Sequence, residues 1–425
     1  MSREAGRYRL HLNLEWEERP SIFQRRDFEL LLQSALRSVY GESGRSKLHG
    51  RCICYAKGLE ECLGFARCLR GSLWSAACHP RFQGNEDGGM IWLLYIPVGL
   101  VILASFIWAL SKNFLTAKVE KLDPNGLHVF ITGGSQGIGK AIAKRAVIEG
   151  AQVSLMARRP EPLAAAKSEL AAIADANALA NNRGQIVATF TGDACDATSV
   201  AEAVAAAEKQ VGGVDVVVAN VGGSTQAPFH LLPLESFEQQ MKRNYLSAVY
   251  AIRAVLHGMK ERRKGRIILI SSQAGQIGLF GYTAYSAAKF ALRGLAESLQ
   301  MELAPYKIRV TVAFPPNTDT PALAKEMEEM PEETRLITDT SGTWSPDTVA
   351  SVIWEDAMEG NHYSTMGLDG WMLGRACAGL SPETVPERAV QQVMLGGFLR
   401  FIGLFYLRHF DRIVKDCYRK RIKQQ

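Results

Sequence analysis

The stretch that decides the fold is HVFITGGSQGIGKAIAKRAVIEG, residues 128–150. It opens with a short run of β-branched and aromatic residues, which favours a strand. The run leads directly into a glycine-rich turn, TGGSQGIG (132–139), and then into a helical stretch, 140–150. A strand, a glycine turn and a helix in this order present backbone amides and a helix N-terminus to an anion, which is typical of a pyrophosphate site.

The same alternation continues towards the C-terminus. Helices of ten residues or more separate the further predicted strands, and this pattern forms a parallel sheet covered on both faces. The predicted fold class is therefore α/β, a Rossmann-type doubly wound parallel sheet, in a catalytic domain over 127–375. The further strands are predicted at 152–157, 186–190, 214–223, 265–272 and 307–314, and the helices up to about 177 and at 198–210, 236–262 and 282–304.

Two arginines follow the second predicted strand. At this position a site specific for NAD would carry an acidic residue for the ribose hydroxyls. Arg158 and Arg159 instead suit the 2′-phosphate of NADPH, because guanidinium groups form charge-assisted hydrogen bonds with phosphate. An exposed basic turn is the alternative. We predict NADPH as the cofactor, held by Arg158 and by residues of the glycine turn, namely Gly133, Ser135, Gln136, Gly137 and Gly139.

Ser272, Tyr285 and Lys289 are the strongest catalytic candidates. Tyr285 and Lys289 lie four residues apart on one predicted helix, so their side chains share a face. A free tyrosine has a pKa of about 10, and a neighbouring ammonium group lowers it. We therefore expect Lys289 to lower the pKa of Tyr285, which would protonate an alkoxide as hydride arrives. Ser272 ends the fifth predicted strand and would hold the substrate oxygen, with Ser271 as an open alternative.

Two apolar stretches predict contact with a membrane. Residues 91–110 carry no charged side chain and would span about 30 Å as a helix, so we predict a transmembrane helix at 90–111. Lysines after it, beginning at Lys112, place the following domain in the cytosol. Residues 393–407 are interrupted by Arg400 and predict an interfacial helix or hairpin. With the basic tail, they form a predicted membrane-associated segment, 388–425.

Composition restricts the remaining choices. The net charge of +6 resides in the flanks, since residues 90–407 carry 28 Lys and Arg against 30 Asp and Glu. Nucleic acid is therefore not an expected partner. The cysteines before residue 80 form no Cys-x-x-Cys pair, so we predict no metal site.

Residues 1–89 lack apolar periodicity; we expect a poorly ordered extension or a gene-model artefact, with the functional chain starting at Met90.

Taken together, the motifs resemble those of the short-chain dehydrogenase/reductases over about residues 127–320. TGGSQGIG, NVGG (220–223), NYL (244–246), SSQAG (271–275) and YSAAK (285–289) carry the resemblance. It implies a Ser–Tyr–Lys triad with Asn244, which in that family holds a helix open so that water relays protons to the lysine. It also implies an adenine contact from Asp193, with Asp196 as the alternative. Further cofactor contacts are implied for Asn220, Tyr285, Lys289 and Thr320.

A narrower resemblance covers residues 271–321, which are similar to the 3-ketodihydrosphingosine reductases of the endoplasmic reticulum. It implies an endoplasmic reticulum membrane enzyme, facing the cytosol, that reduces the ketone of 3-ketodihydrosphingosine with NADPH. The implied partners are this long-chain keto-sphingoid base and the lipid bilayer. Reduction of another lipophilic ketone, such as a steroid, retinoid or fatty acyl ketone, is an open alternative, and so is a catalytically silent membrane scaffold. The oligomeric state stays open, a homo-oligomer included.

Overall fold

A computed structural model describes residues 98–99, 101–106, 108–109, 121–181 and 184–424. The predicted extension 1–89, with its cysteine cluster, and most of the predicted transmembrane helix 90–111 lie outside the described residues. The described residues between 98 and 109 are helical, and several of their apolar side chains are exposed, among them Ile102 and Phe106. The transmembrane helix stays a prediction.

The centre of the domain is a seven-stranded parallel sheet with the order β3-β2-β1-β4-β5-β6-β7. Strands β1, β4 and β5 are buried along their whole length, as expected for parallel strands covered by helices on both faces. The predicted α/β doubly wound fold is confirmed. The strands are β1 His128–Thr132, β2 Gln152–Ala157, β3 Val187–Thr191, β4 Val216–Ala219, β5 Gly265–Ile270, β6 Ile308–Ala313 and β7 Tyr363–Ser364.

Helices cover both faces of this sheet. Neighbouring residues of a strand point to opposite faces, so Ile131 belongs to one buried apolar cluster and Phe130 to the other. The α-helices after residue 121 are α1 Gly137–Ile148, α2 Pro160–Asn181, α3 Ala197–Val211, α4 Leu234–Met241, α5 Ser247–Arg262, α6 Thr283–Leu303, α7 Pro321–Glu328, α8 Glu332–Thr338, α9 Pro346–Glu359, α10 Gly367–Ala376 and α11 Pro386–Gln424.

Two details differ from the sequence-based prediction. The single helix expected over 236–262 is divided into α4, a π-helical turn at Lys242–Leu246, and α5. The seventh strand, β7, was missed, because two residues give no detectable alternation. The strand order reverses between β1 and β4, and in sheets of this kind the ligand cleft lies at the carboxyl ends of the strands beside such a reversal.

The C-terminal apolar stretch and the basic tail form one helix, α11, rather than a hairpin. Its 39 residues extend for about 58 Å at about 1.5 Å per residue. In the part of the chain that the structure describes, α11 is the one helix whose length and composition would let it cross a membrane. It packs against α8 and α10. Near its end, Arg421 pairs with Glu333, and the Lys420 ammonium lies 3.5 Å from a Glu332 carboxylate oxygen.

Candidate active site

A cavity of about 940 Å³ runs along the carboxyl ends of the strands. At one end, its wall is made by the glycine turn, Arg158 and Asp193; at its centre lie Ser272, Tyr285 and Lys289. The opposite end is lined by the C-terminal helices, with Met372 and Leu373 from α10 and Leu399, Ile402, Tyr406 and Phe410 from α11. One continuous cleft therefore joins a polar end to a mostly apolar end.

The glycine turn is packed so closely that side chains are excluded. A Cβ atom on Gly139 would lie 2.6 Å from the Gly133 carbonyl oxygen and 2.5 Å from Asn220 Nδ2. Gly137 has a φ of +58°, in the left-handed region, and a Cβ there would lie 3.0 Å from Thr320 Cγ2. Gln136, at the N-cap of α1, makes no side-chain capping bond, so the first amides of the helix have no side-chain cap. Such a helix end binds anions.

Asn220 fastens the end of β4 to this turn. Its Nδ2 donates to the carbonyl oxygens of Thr132 at 3.2 Å and Gly133 at 3.0 Å, and its backbone N–H donates to Thr132 Oγ1 at 3.2 Å. The side-chain amide is thus engaged with the backbone of the turn. Asn220 lines the cleft and shapes the cradle under a bound dinucleotide.

Of the charged candidates that follow β2 and β3, three line the cleft and one does not. Arg158 and Arg159 are exposed and both line the cleft, and Arg159 Nη2 donates to Gln136 Oε1 at 2.7 Å. Asp193 also lines the cleft, and its Oδ1 accepts from the Cys195 N–H at 3.0 Å. Asp196 instead caps α3 by accepting from the Thr198 N–H at 3.1 Å. The geometry therefore favours Asp193 over Asp196 as the adenine partner.

The catalytic candidates meet at the centre of the cleft. Tyr285 and Lys289 project from α6, and the Lys289 Nζ lies 5.6 Å from the centroid of the Tyr285 ring. Lys289 is buried and donates to the Ile270 carbonyl oxygen at 2.8 Å, which fixes its ammonium at the end of β5. The Ser272 hydroxyl lies near enough to the Tyr285 hydroxyl to lower its pKa.

Ser271 occupies a different position from its neighbour. It is buried, and its Oγ donates to the Lys289 carbonyl oxygen at 3.0 Å, on the inner side of α6. Ser272 accepts from the Ala274 N–H at 3.2 Å as the N-cap of a short 3₁₀ turn. Because the hydroxyl of Ser272 reaches Tyr285 and that of Ser271 is bound to α6, the geometry favours Ser272 as the partner of a substrate oxygen.

The pKa values of the pair reflect burial more than mutual attraction. Burial, with smaller contributions from the charges of Glu326 and Tyr282, raises the pKa of Tyr285 well above its ordinary value; the Ser272 hydrogen bond opposes this. The net pKa of Tyr285 is therefore raised, not lowered as the sequence led us to expect, because burial outweighs the neighbouring charges. Burial also lowers the pKa of Lys289 to about 8, against a raising effect of Glu326. A raised pKa keeps the Tyr285 hydroxyl protonated, as a proton donor requires.

Asn244 lies in the π-helical turn between α4 and α5. It is buried, its Oδ1 accepts from the Gly223 N–H at 3.1 Å, and its Nδ2 donates to the Gly223 carbonyl oxygen at 3.0 Å. A Cβ on Gly222 would touch both Asn244 Oδ1, at 2.8 Å, and Lys289 Nζ, at 3.0 Å. Asn244 and Lys289 are thus neighbours across Gly222. An irregular helical turn at this point frees backbone groups, a common feature of functional sites.

Thr320 stands where β6 gives way to α7. Its Oγ1 accepts from the Leu323 N–H at 3.2 Å, so it caps α7, and its methyl group faces Gly137. It lines the cleft between the glycine turn and the catalytic centre. The predicted site residues thus line one cleft, with three exceptions: Gly139, which packs against Gly133 and Asn220, Asn244, which lies beside Gly222, and the alternative Asp196.

Sequence reasoning missed two groups of cleft residues. The first is the inner face of α11, including Leu399 and Ile402, which was interpreted only as a membrane-associated segment. The second is Glu326 of α7, whose carboxylate reaches the catalytic centre. A helical period does place Leu399, Ile402 and Tyr406 on one face, but the sequence does not say what that face contacts.

The sheet order, the glycine turn and the Ser–Tyr–Lys arrangement define a dehydrogenase with a dinucleotide-binding fold. The family model described as short chain dehydrogenase matches residues 127–331. A solved levodione reductase has a TM-score of 0.50 and 25% identity, covering 55% of this chain and 91% of its own. The chain belongs to the short-chain dehydrogenase/reductase family of oxidoreductases, which use a nicotinamide cofactor.

Within this family, similar curated relatives carry one of two synonymous enzyme names. A Danio rerio protein named 3-dehydrosphinganine reductase is 46% identical over 325 residues, covering 75% of this chain and 96% of its own. A Mus musculus protein named 3-ketodihydrosphingosine reductase is 44% identical over 334 residues, covering 78% and 98%. A Dictyostelium discoideum protein of the latter name is 30% identical over 331 residues, covering 76% and 98%.

The described residues fit a nicotinamide dinucleotide. The turn is packed too closely at Gly137 and Gly139 to admit a Cβ, and the first amides of α1 are free of a side-chain cap, as a pyrophosphate site requires. When bound, such a cofactor supplies a hydride. The proton and the alignment of the carbonyl group would then have to come from the chain's own residues.

Proposed function

We propose that this protein catalyses the NADPH-dependent reduction of the 3-ketone of 3-ketodihydrosphingosine to the alcohol of dihydrosphingosine. The observation that carries the proposal is the single cleft that leads from the glycine turn, past Tyr285, to the apolar wall of α10 and α11. A dinucleotide at one end and an alkyl chain at the other would bring the ketone to Tyr285. The names of the similar relatives support the same substrate.

In this proposal, Tyr285 is the general acid. Its hydroxyl gives its proton to the oxygen of the reduced carbonyl, while the Ser272 hydroxyl holds that oxygen in place. The Lys289 ammonium stabilises the negative charge that the Tyr285 oxygen carries after the transfer. Asn244, beside Lys289 across Gly222, lies where a water molecule would return a proton to the pair.

Arg158 supports NADPH rather than NADH as the cofactor. It lines the cleft after β2, and no acidic residue occupies its position or that of Arg159. Hydrogen bonds to charged groups contribute roughly 1.5–3 kcal/mol, enough to discriminate between a 2′-phosphate and a hydroxyl. We place the adenine beside Asp193, which lines the same end of the cleft.

We also propose that the enzyme acts at the endoplasmic reticulum membrane, with its catalytic domain in the cytosol. The two faces of α11 differ: Leu399 and Ile402 line the cleft, whereas Phe398, Phe401 and Phe405 point outwards and are more than half exposed. A patch of exposed aromatic rings beside a basic helix end is typical of a surface that lies on a bilayer. A long-chain ketone dissolved in that bilayer would then be close to the cleft.

The test is NADPH oxidation by the full-length protein in microsomes. Three ketone or aldehyde substrates are compared: 3-ketodihydrosphingosine, a steroid ketone and retinal. We expect turnover of the first to exceed that of the others by far, and dihydrosphingosine to accumulate in step with NADPH loss. Turnover of a steroid or retinal alone would assign the enzyme to another lipophilic carbonyl. No turnover of any of them would favour the silent scaffold.

A further inference from the structure

The catalytic centre contains a carboxylate that proton transfer does not require. Glu326, on α7, lines the cleft together with Tyr285 and Lys289. Its charge raises the pKa values of both residues, so it lies close to them in electrostatic terms. A negative charge beside a carbonyl that must accept hydride opposes the reaction, because negative charge develops on that oxygen. The position of Glu326 therefore calls for a positive partner in the substrate.

Neutral groups hold the Glu326 carboxylate in place. Its Oε1 accepts from the Ser224 N–H at 2.8 Å, and its Oε2 accepts from Gln226 Nε2 at 3.5 Å. Gln226 Nε2 also donates to the Tyr282 hydroxyl at 3.3 Å. Tyr282 is the aromatic neighbour of Tyr285, at 5.2 Å between ring centroids. The carboxylate is thus anchored to the loop after β4, on the side of the cleft that adjoins the proton donor.

The Glu326 carboxylate forms no ion pair with the described side chains, so it can pair with a cation of the substrate. Among residues 121–181 and 184–424, none of the ion pairs within 4.0 Å involves Glu326. Arg243 lies near the carboxylate without forming an ion pair with it: a Cβ on Gly223 would lie 3.5 Å from Arg243 Nη1 and 3.6 Å from Glu326 Oε1, so both groups lie on the same side of Gly223. The Lys289 ammonium donates one hydrogen bond to the Ile270 carbonyl oxygen and forms no ion pair with Glu326.

We propose that Glu326 is a specificity-determining residue that binds the ammonium group of a 2-amino-3-ketone beside the carbonyl that Tyr285 protonates. The inference rests on the proposed function and deepens it. In 3-ketodihydrosphingosine the amine-bearing carbon adjoins the ketone, so a cation necessarily accompanies the reacting carbonyl. Charge-assisted hydrogen bonds between ammonium and carboxylate are among the strong ones in proteins.

The same carboxylate would discriminate against neutral lipids. A steroid, retinoid or simple fatty ketone carries no cation, and its binding would take water from Glu326 without supplying a charged partner. Selectivity would therefore come from the charge at the reacting end of the substrate, while the apolar wall of α10 and α11 accepts the chain.

The experiment compares two ketones of equal chain length in identical detergent micelles: 3-ketodihydrosphingosine and its analogue without the amine. Glu326→Gln retains an oxygen that can accept from the Ser224 N–H but removes the charge. We expect the substitution to raise KM for the amino ketone by roughly ten- to a hundredfold, the range for a hydrogen bond to a charged group. KM for the analogue should change by less than about threefold. Glu326→Asp, which restores the charge, should recover part of the loss.

Two further measurements separate a binding role from a structural one. Glu328→Gln, on the same helix, is the matched control, because Glu328 is exposed and does not line the cleft; it should leave both KM values unchanged. The Glu326 charge raises the pKa of Lys289, so Glu326→Gln should also move the alkaline limb of kcat for the uncharged analogue to lower pH. The other charged groups near Lys289 and Tyr285, Arg243 included, are the same in both proteins.

Each outcome decides the inference. If Glu326→Gln raised KM equally for both ketones, Glu326 would have a general structural role. If KM for the amino ketone did not change, Glu326 would have no role in substrate binding. In both cases wild-type turnover of the amino ketone would leave the proposed function standing. If the wild-type protein reduced only the uncharged analogue, the proposed function and the ammonium site would both be overturned.

Discussion

The two ends of the cleft are lined by different kinds of chemical groups. The cofactor end consists of backbone and charged groups: the glycine turn, the uncapped start of α1, and Arg158 beside Asp193. The far end consists largely of apolar side chains from α10 and α11. The first binds by directed hydrogen bonds and charge, the second by excluding water. The two ends share only the residues around Tyr285. A substitution at one end should therefore leave ligand binding at the other end intact.

Substitution at the junction of the two ends, formed by Ser272, Tyr285 and Lys289, should have the largest effect. Tyr285→Phe removes the proton donor but none of the cofactor-binding groups at the glycine turn, so NADPH binding should stay near that of the wild-type protein. Loss of a general acid reduces turnover by roughly 10²–10⁴-fold. Cofactor binding is measured by fluorescence titration and turnover by product formation.

Tyr306→Phe is the matched control for Tyr285→Phe. Its ring packs below the Lys260 ammonium, 4.3 Å from Nζ, and it does not line the cleft, so its hydroxyl should be dispensable. Half of the wild-type activity in Tyr285→Phe would show that another group donates the proton. A loss of NADPH binding equal to the loss of turnover would mean that the two ends of the cleft are not separable.

The difference between the two ends also explains how much could be predicted from the sequence. Gly137 and Gly139 lie within a few residues of the strand and helix that position them, and Tyr285 and Lys289 share one helix face. Short-range patterns of this kind predicted the strand β1 and the turn correctly, and they selected three catalytic candidates that the structure brings to one cleft. Asn244 and Asn220 required the family resemblance, because no local pattern marks an amide that contacts a distant backbone.

The apolar end could not be found in the same way. Ile402 lies more than a hundred residues beyond Tyr285, and its role depends on the docking of α11 against α8 and α10. An apolar stretch predicts burial but does not distinguish a cleft wall from a membrane surface; in α11 one face lines the cleft and the other is exposed. Likewise, the raised pKa of Tyr285 follows from burial by the whole fold, which spacing along one helix does not reveal.

The cofactor end can be tested alone by Arg158→Ala. The contact that we propose for Arg158 is to the 2′-phosphate, which NADH lacks, so the dissociation constant for NADPH should rise by roughly ten- to a hundredfold and that for NADH by little. Arg253→Ala, an exposed arginine on α5 outside the cleft, is the control. KM for the lipid ketone at saturating NADPH should not change. Equal weakening of NADPH and NADH would give Arg158 a structural role.

The apolar end can be tested by two neighbouring substitutions on α11. Ile402 lines the cleft and Phe401 points outwards, although they are adjacent in the sequence. Ile402→Ala removes buried apolar surface, at about 0.8 kcal/mol per methylene group, and should raise KM for the long-chain ketone by up to roughly tenfold without affecting NADPH binding. Phe401→Ala should leave KM in detergent micelles unchanged but weaken retention on vesicles, measured by flotation.

The opposite pattern would revise the assignment of the two faces. If Phe401→Ala raised KM in micelles and Ile402→Ala released the protein from vesicles, the outer face of α11 would be the substrate wall. If neither variant altered retention on vesicles, the membrane anchor would have to lie elsewhere in the chain.

The smallest expected effect is a pH dependence that belongs to the junction alone. Burial lowers the pKa of Lys289 to about 8, so its ammonium loses its proton as the pH rises through that value, while the Tyr285 hydroxyl, whose pKa is raised, stays protonated. With a soluble, uncharged ketone, kcat should therefore fall by about twofold between pH 7 and pH 8 and further above it, because neutral Lys289 no longer stabilises the Tyr285 oxygen. Lys289→Arg keeps a positive charge throughout this range and should flatten the alkaline limb, even if its activity is lower. The dissociation constant of NADPH should not follow the same curve, since the phosphate contacts lie at the other end of the cleft. A wild-type profile that stays level to pH 10 would mean that the charge of Lys289 is not required, and a parallel fall in NADPH binding would show that the junction and the cofactor end titrate as one unit.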